Sequence, residues 1–112
     1  MSFEVLITKT AERDLLRAAE HIEFSLFDRN TADELISAAD RIIGSLSELP
    51  ERHGIADDPV LRSLNVRIAP VKNYLVFCTV SHEEGVVTVL RFLYGKRDWI
   101  SILRGENSGD PE

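Results

Sequence analysis

Three cations and a tryptophan lie within and directly after the most apolar stretch of the chain, in the segment LRFLYGKRDW at residues 90–99. Arg91 interrupts the run of strand-forming residues, and Lys96, Arg97 and Trp99 follow where the run stops. Guanidinium and ammonium groups bind carboxylates and phosphates, and tryptophan supplies a large apolar surface. The segment predicts a small positive edge suited to a protein partner more than to a long nucleic acid.

Each of these residues also has a purely structural interpretation. A cation in a buried strand must either form an internal salt bridge with a helix carboxylate or reach an open groove, so Arg91 has two possible roles. Lys96 and Arg97 are either solvated turn charges or binding groups. Trp99 either folds back as a cap on the core or acts as a binding hot spot.

Length and charge restrict the function classes. The chain has 112 residues, enough for one domain with a single core. Its 44% hydrophobic and 29% charged residues are typical of a folded globular protein. The formal net charge is −6 and the pI is about 5.0, which argues against a surface built to cover nucleic acid. Any cationic site must therefore be local.

The remaining reactive side chains give no sign of a metal or cofactor site. Cys78 is the one cysteine and lies in an apolar run, so we expect a buried thiol and a reducing compartment. His21, His53 and His82 are scattered and lack zinc-ligand spacing. No signal sequence or apolar stretch of about 18 residues is evident, which predicts a cytoplasmic protein.

The N-terminal third predicts a strand followed by a helix. Residues 3–7 alternate between apolar and polar side chains, as in a half-buried strand. Apolar residues then recur every three or four positions over residues 11–26, which predicts a helix of about five turns. Either Thr8 or Thr10 is expected to cap it.

A second helix is predicted to follow closely. Thr31 and Glu34 have the spacing of a capping box, and an apolar stripe runs from Leu35 to Leu49 before Pro50 ends the helix. The short connection FDRNT requires the two helices to run antiparallel. Their apolar stripes are too long to pair only with each other, so they must cover a sheet.

The C-terminal half predicts three strands after a polar loop, ERHGIADDPV. Residues 63–68 alternate, which predicts a strand that ends at Pro70 and presents Arg67 to water or a partner. Residues 73–80 and 86–94 are nearly continuous apolar runs joined by SHEEG, which predicts a hairpin of central strands.

Together these elements predict an α+β fold in the order β-α-α-β-β-β. The helix hairpin is expected to pack on one face of a small, mainly antiparallel sheet. We expect one domain over residues 1–104 and a disordered tail at 105–112.

Three stretches resemble the ParE/RelE superfamily of bacterial toxins, the toxic components of type II toxin-antitoxin systems. They are the opening strand and helix with AERDL, the strand start NYLVF, and VLRFLYGKRDW, which is similar to the ParE-branch pattern VLRVLHGxRD. The resemblance covers roughly residues 3–104 and implies the fold predicted above.

The superfamily includes two activities with different residue requirements. RelE-like members are ribosome-dependent mRNA endonucleases whose third strand begins GYRLVY, whereas this chain has NYLVFC, so Leu75 replaces the strand arginine. The basic residue of the GKR turn remains as Arg97, but Leu103 stands where a tyrosine is expected. These differences favour the ParE branch, whose members are described as non-enzymatic inhibitors of DNA gyrase.

The resemblance thus implies a toxin of the plasmid-stabilisation type that inhibits DNA gyrase without catalysis or cofactors. A cognate ParD-like antitoxin would neutralise it, and DNA would be contacted only through that antitoxin. The alternatives are a RelE-like endonuclease that uses Arg91 and Arg97 as phosphate ligands, and a degenerate member that binds its antitoxin without toxicity. Candidate target- or antitoxin-binding residues are Arg67, Arg91, Lys96, Arg97 and Trp99.

Overall fold

The computed structural model describes residues 2–105, with four strands and four α-helices. The strands are β1 (Glu4–Ile7), β2 (Arg67–Val71), β3 (Tyr74–Ser81) and β4 (Val86–Tyr94). The helices are α1 (Lys9–Glu20), α2 (Arg29–Ser45), α3 (Pro59–Ser63) and α4 (Trp99–Arg104). A π-helical turn at His21–Ser25 extends α1, and a 3-10 turn at Pro50–Arg52 follows α2. Apart from its first residue, the tail predicted at 105–112 lies outside the described residues.

The strands form one mixed sheet in the order β1-β4-β3-β2. β2, β3 and β4 are antiparallel neighbours, and β1 joins β4 in parallel. The predicted α+β class and the order β-α-α-β-β-β are confirmed, with α3 and α4 as additions. None of the described helices has the length and apolarity needed to cross a membrane.

Apolar packing occurs on both faces of the sheet. The larger cluster joins the helix hairpin to one face, where Ala39, Val76 and Val89 are fully buried. The smaller cluster lies on the other face, where Phe77 and Leu93 are covered by side chains from α3 and α4. Burial of both faces explains why β3 and β4 are nearly continuous apolar runs in the sequence.

A β-bulge interrupts the pairing of the two central strands. Phe77 pairs with Arg91 while Cys78 pairs with Val89, so Leu90 is left without a cross-strand partner. One extra residue on one strand shifts the register of everything beyond it. The C-terminal half of β4 is therefore displaced by one residue relative to a regular hairpin.

The sequence predicted the helix caps only in part. Thr8 caps α1, because its hydroxyl accepts a hydrogen bond from the Ala11 N–H at 3.0 Å. The predicted capping box at Thr31 is wrong. Asp28 caps α2 instead, since its carboxylate accepts hydrogen bonds from the Thr31 N–H at 3.1 Å and from the Thr31 hydroxyl at 2.7 Å. These bonds hold the pKa of Asp28 below its ordinary value.

The strand predicted over residues 63–68 begins later than expected. Asp58 caps α3, so the chain is helical up to Ser63 and enters β2 only at Arg67. Pro70 lies inside β2 and does not end it. The Ile68 N–H points away from β3, donating to the Gly54 carbonyl at 2.9 Å, so the missing N–H of Pro70 also falls on the outer edge.

Helix α4 was not predicted, and an ion pair links it to the start of α3. The Arg104 guanidinium donates to both carboxylate oxygens of Asp58, at 2.8 and 3.1 Å. The Asp58 side chain is only 7% exposed. The hydrogen bonds from Arg104 lower the pKa of Asp58, with further contributions from the backbone N–H groups that it caps.

Candidate protein-interaction site

Arg91 forms a salt bridge with a helix carboxylate. Its guanidinium donates to both carboxylate oxygens of Asp14 on α1, at 2.7 and 3.0 Å. Asp14 also accepts the Phe92 N–H at 3.1 Å. Because β1 ends at Ile7, this part of the β4 edge has no neighbouring strand, and the Asp14 carboxylate takes the place of a strand carbonyl. Of the two roles open to Arg91, the structure therefore shows the structural one; its binding role stays a prediction.

Trp99 and Arg67 are also held by contacts within the protein. The Trp99 ring packs on Phe77 with centroids 5.3 Å apart, as a cap on the smaller cluster. Arg67 donates to the His53 carbonyl at 2.7 Å and lies 3.6 Å from a Glu51 carboxylate oxygen. It sits at the opposite end of the β2-β3 hairpin from Arg97, so the five candidate residues do not form one site.

Arg97 borders a groove that the sequence did not predict. The groove has a volume of about 580 Å³. It lies between the π-helical turn after α1, the start of α2, the start of β3 and the end of β4. A hollow of about 330 Å³ continues it along α1 and shares His21, Tyr74, Tyr94 and Arg97. We call the two together the end groove. Its lining residues that bear polar groups are Asp14, Arg17, His21, Asp28, Thr31, Asn73, Tyr74, Tyr94 and Arg97.

Two tyrosines form the aromatic part of the end groove. Tyr74 stacks on Phe92 with centroids 5.0 Å apart and meets Tyr94 edge to face at 5.4 Å. Burial raises the pKa of Tyr74, with a smaller contribution from Tyr94. The bulge brings the two tyrosines opposite each other. A regular hairpin with the register found near the turn would pair Tyr74 with Leu93 instead, so the sequence pattern could not reveal this pair.

The end groove is lined by charged groups of both signs although the whole chain is acidic. Asp14 is paired with Arg91, and Asp28 is used as a helix cap. Arg17 and Arg97 also line the groove. Two exposed lysines lie on the adjoining turns, at positions 72 and 96. Arginine and tyrosine in a partly apolar hollow are the residues that dominate protein-protein binding energy, and the cations suit a carboxylate-bearing partner.

An exposed apolar tip extends the end groove. Phe24, Leu26 and Phe27 are 66%, 59% and 89% exposed, and Leu26 also lines the groove. Phe27 has a positive φ of 55°, which is uncommon for a bulky side chain. A cluster of this kind beside polar residues is typical of a protein-interaction surface.

The histidines do not come together in the end groove. Among residues 2–105, no group of three or more His, Cys, Asp or Glu side chains could hold a metal ion. His21, His53 and His82 lie on different elements, and of the three only His21 lines the end groove. His21, Arg17 and Tyr74 were not among the predicted site residues. The available signal was their position at the end of α1 and at the start of β3.

The known proteins that this chain resembles in sequence or in structure belong to toxin-antitoxin systems. The family model for the ParE toxin of the type II toxin-antitoxin system parDE matches residues 5–99. A solved chain of the chromosomal ParDE TA system from P. aeruginosa is 14% identical, with a TM-score of 0.68 over 83% of this chain and 96% of that chain. A chain of the toxin-antitoxin complex RelBE2 from Mycobacterium tuberculosis is 22% identical, with a TM-score of 0.57 over 84% and 99%. No curated protein sequence matches the chain.

Proposed function

Because the chain belongs to the ParE toxin family of type II toxin-antitoxin systems, we propose that it is the toxin of such a pair and inhibits DNA gyrase by binding alone. It acts in the cytoplasm, and a cognate antitoxin keeps it inactive. A system of this kind would stabilise a plasmid that carries it. DNA is contacted only through the antitoxin.

The packing of two leucines carries the non-enzymatic part of the proposal. Leu75 and Leu103 stand where RelE-like endonucleases have an arginine and a tyrosine, and both pack into the smaller apolar cluster with Phe77 and Leu93. An apolar side chain can neither donate a proton nor stabilise a phosphate. The face of the sheet that would need these groups is instead filled by α4.

The state of Arg91 also weakens the endonuclease alternative. That alternative requires Arg91 and Arg97 as phosphate ligands, but both ends of the Arg91 guanidinium fork bind Asp14, which is 9% exposed. Releasing Arg91 for a phosphate would leave the largely buried Asp14 carboxylate without its counterion. The fold uses this arginine to hold α1 on β4.

The end groove is the surface that we assign to the target. It combines two tyrosines, two arginines and an exposed apolar tip, which suits a folded protein partner with an acidic patch. Lys96 and Arg97 contribute to the positive edge that attracts it. The antitoxin would lay an extended segment elsewhere on the helix hairpin and the sheet, folding as it binds.

Expression in a test bacterium, with and without the antitoxin, tests the proposal. Gyrase poisoning predicts filamentation and double-strand DNA breaks while messenger RNA stays intact, and rescue by the antitoxin. Codon-position cuts in messenger RNA with normal supercoiling would establish the endonuclease alternative. Normal growth with a folded, antitoxin-binding protein would identify a degenerate member.

A further inference from the structure

The turn between α1 and α2 holds a phenylalanine where glycine would be more stable. Phe27 has a φ of 55° and is 89% exposed. The Asp28 N–H donates to the Ile22 carbonyl at 3.1 Å, so Phe27 is the left-handed residue that ends the helical segment. Glycine is usual in this position, because it has no side chain to strain. The ring of Phe27 thus strains the backbone without being buried, and the fold of a single chain does not explain it.

The backbone on both sides of Phe27 is fixed by hydrogen bonds. Before it, the Leu26 N–H donates to the His21 carbonyl at 3.2 Å. After it, the Asp28 carboxylate accepts the N–H and the hydroxyl of Thr31. A group whose backbone is fixed before binding loses little conformational entropy when a partner binds. Phe27 therefore has the properties of a prearranged anchor.

The end groove is a hollow that fits such an anchor. Its larger part has a volume of about 580 Å³ and is lined by Tyr74 and Tyr94. Aromatic rings pack favourably on one another edge to face or offset, so a phenylalanine ring suits this lining. Phe27 of the same chain lies outside the lining. The chain thus carries the apolar tip and a matching hollow side by side, as a two-fold interface between identical copies requires.

The charges beside the apolar tip and the end groove are also complementary. Glu20 and Glu23 lie on the helical turn that leads into the tip, and Lys72 and Lys96 are exposed on the turns beside the groove. A two-fold rotation that places each tip over the other groove brings these carboxylates to these ammonium groups twice. The net charge of −6 on each copy opposes association. At physiological salt the Debye length is about 8 Å, so neighbouring pairs outweigh the distant charges.

We propose that two copies of this chain form a two-fold dimer in which the apolar tip of each copy occupies the end groove of the other. The end groove is open in the monomer and closed in the dimer. A second copy therefore competes with any partner that uses this groove. That the dimer restrains the toxin rests on the proposed function; the self-association does not.

Sedimentation velocity of the whole chain over a range of concentrations tests the proposal. Wild type should show a reversible monomer-dimer equilibrium. Phe27→Gly should raise the dissociation constant of the dimer by about 100-fold or more, because a hot-spot residue occurs twice in a two-fold interface. The same variant should melt at or above the wild-type temperature, since it relieves the strained backbone. Phe27→Trp should keep the dimer.

Three results would overturn the proposal. The first is a wild-type chain that stays monomeric at about 1 mM, where even weak interfaces associate. The second is a Phe27→Gly variant that dimerises like wild type. The third comes from the control Leu64→Ser, which removes an apolar side chain that is 59% exposed and lies outside the end groove. Weakening equal to that of Phe27→Gly would mean that the association is a nonspecific apolar contact.

A charge exchange tests the reciprocal arrangement. Glu20→Lys with Glu23→Lys should weaken the dimer, because lysines would then meet lysines in both halves of the interface. Each change adds two positive charges, so the net charge of this variant is −2 instead of −6, and net charge alone would predict a tighter dimer. Lys72→Glu with Lys96→Glu should also weaken the dimer.

An equimolar mixture of the two charge variants should form a heterodimer that is tighter than either homodimer. In one half of its interface the exchanged charges attract each other, and the other half keeps the wild-type contacts. A mixture that associates no better than its components would contradict the placement of each tip over the other groove.

These measurements involve neither gyrase nor growth inhibition. A monomeric chain that inhibits gyrase would remove the dimer and leave the toxin proposal standing. A dimer without any effect on gyrase would remove the toxin proposal and leave the dimer.

Discussion

The two grooves lie towards opposite ends of α1 and differ in every property that governs recognition. The edge groove, a hollow of about 330 Å³ between β1, α1 and α2, lies near the N-terminal half and is lined by aliphatic side chains together with Glu12 and Asp40. The end groove beyond the C-terminal half is aromatic and bordered by arginines. Glu12 early in α1 and Arg17 late in it also match the helix dipole. One helix thus borders two surfaces of different chemistry.

The comparison teaches that the sign of a local surface, and not the net charge, decides which partner it suits. A chain of net charge −6 still places Arg17 and Arg97 in the lining of one groove, where the carboxylates of Asp14 and Asp28 bind Arg91 and Thr31. At the other end, Glu12 and Asp40 are the charged residues that line the edge groove.

Removing the anchors of the end groove should separate the two surfaces most clearly. Tyr94→Ala with Arg97→Ala should weaken target binding by about 100-fold or more, since hot-spot truncations cost about 2 kcal/mol each and 1.4 kcal/mol is tenfold. Growth inhibition should be lost while antitoxin binding and melting temperature stay near wild type. The edge-groove pair Glu12→Gln with Asp40→Asn is the matched control and should still inhibit growth. Full growth inhibition by the Tyr94→Ala/Arg97→Ala variant would show that the end groove does not bind the target.

Asp14→Ala tests whether α1 is fixed between the two grooves. The substitution leaves Arg91 and the Phe92 N–H without their acceptor. We therefore expect the free energy of unfolding to fall by about 2 kcal/mol. This is less than the value for a fully buried pair, because Arg91 is partly exposed. Urea denaturation measures it. Asp33→Ala, at an exposed position of α2, should change stability by less than about 0.5 kcal/mol. Equal effects would show that the Asp14 contacts do not hold the helix.

The Asp58-Arg104 pair, which lies in neither groove, should make stability depend on acid. The pKa of Asp58 is lowered in the folded protein, so its contribution is present above the unfolded-state value of about 3.9 and is lost as pH falls through the lower folded-state pKa. Wild type should melt above Asp58→Asn at neutral pH, and the gap should close in acid. A gap that does not change with pH would show that the charge contributes nothing.

The reactivity of Cys78 measures whether solvent reaches the core beneath the two grooves. It is fully buried, and burial raises the pKa of its thiol to about 11. The thiolate is the reactive form, so iodoacetamide at pH 8 should label native protein very slowly and unfolded protein readily. Fast labelling of the native chain would show that solvent reaches the core between the sheet and the helix hairpin.

The sequence predicted what depends on regular periodicity. Residues 3–7 alternate and form β1, and the apolar runs at 73–80 and 86–94 form β3 and β4. The predicted cap at Thr8 or Thr10 resolves to Thr8, because only its hydroxyl is placed before the first turn of α1.

Features that depend on three-dimensional placement could not be predicted in the same way. The bulge at Leu90 has no local sequence signal, yet it decides that Tyr94 and not Leu93 faces Tyr74. α4 is short, and it is held by packing on Phe77 and by Asp58, which is distant in sequence. The candidate site was therefore only partly predicted: Arg97 lines the end groove, while Arg67, Arg91 and Trp99 are held elsewhere by their own contacts.

The most direct measurement is DNA supercoiling by purified gyrase in the presence of the purified chain. The account predicts that the wild-type chain inhibits supercoiling, and that the Tyr94→Ala/Arg97→Ala variant does not. Unimpaired supercoiling, together with cleavage of messenger RNA by the same preparation on translating ribosomes, would contradict a toxin that acts by binding alone.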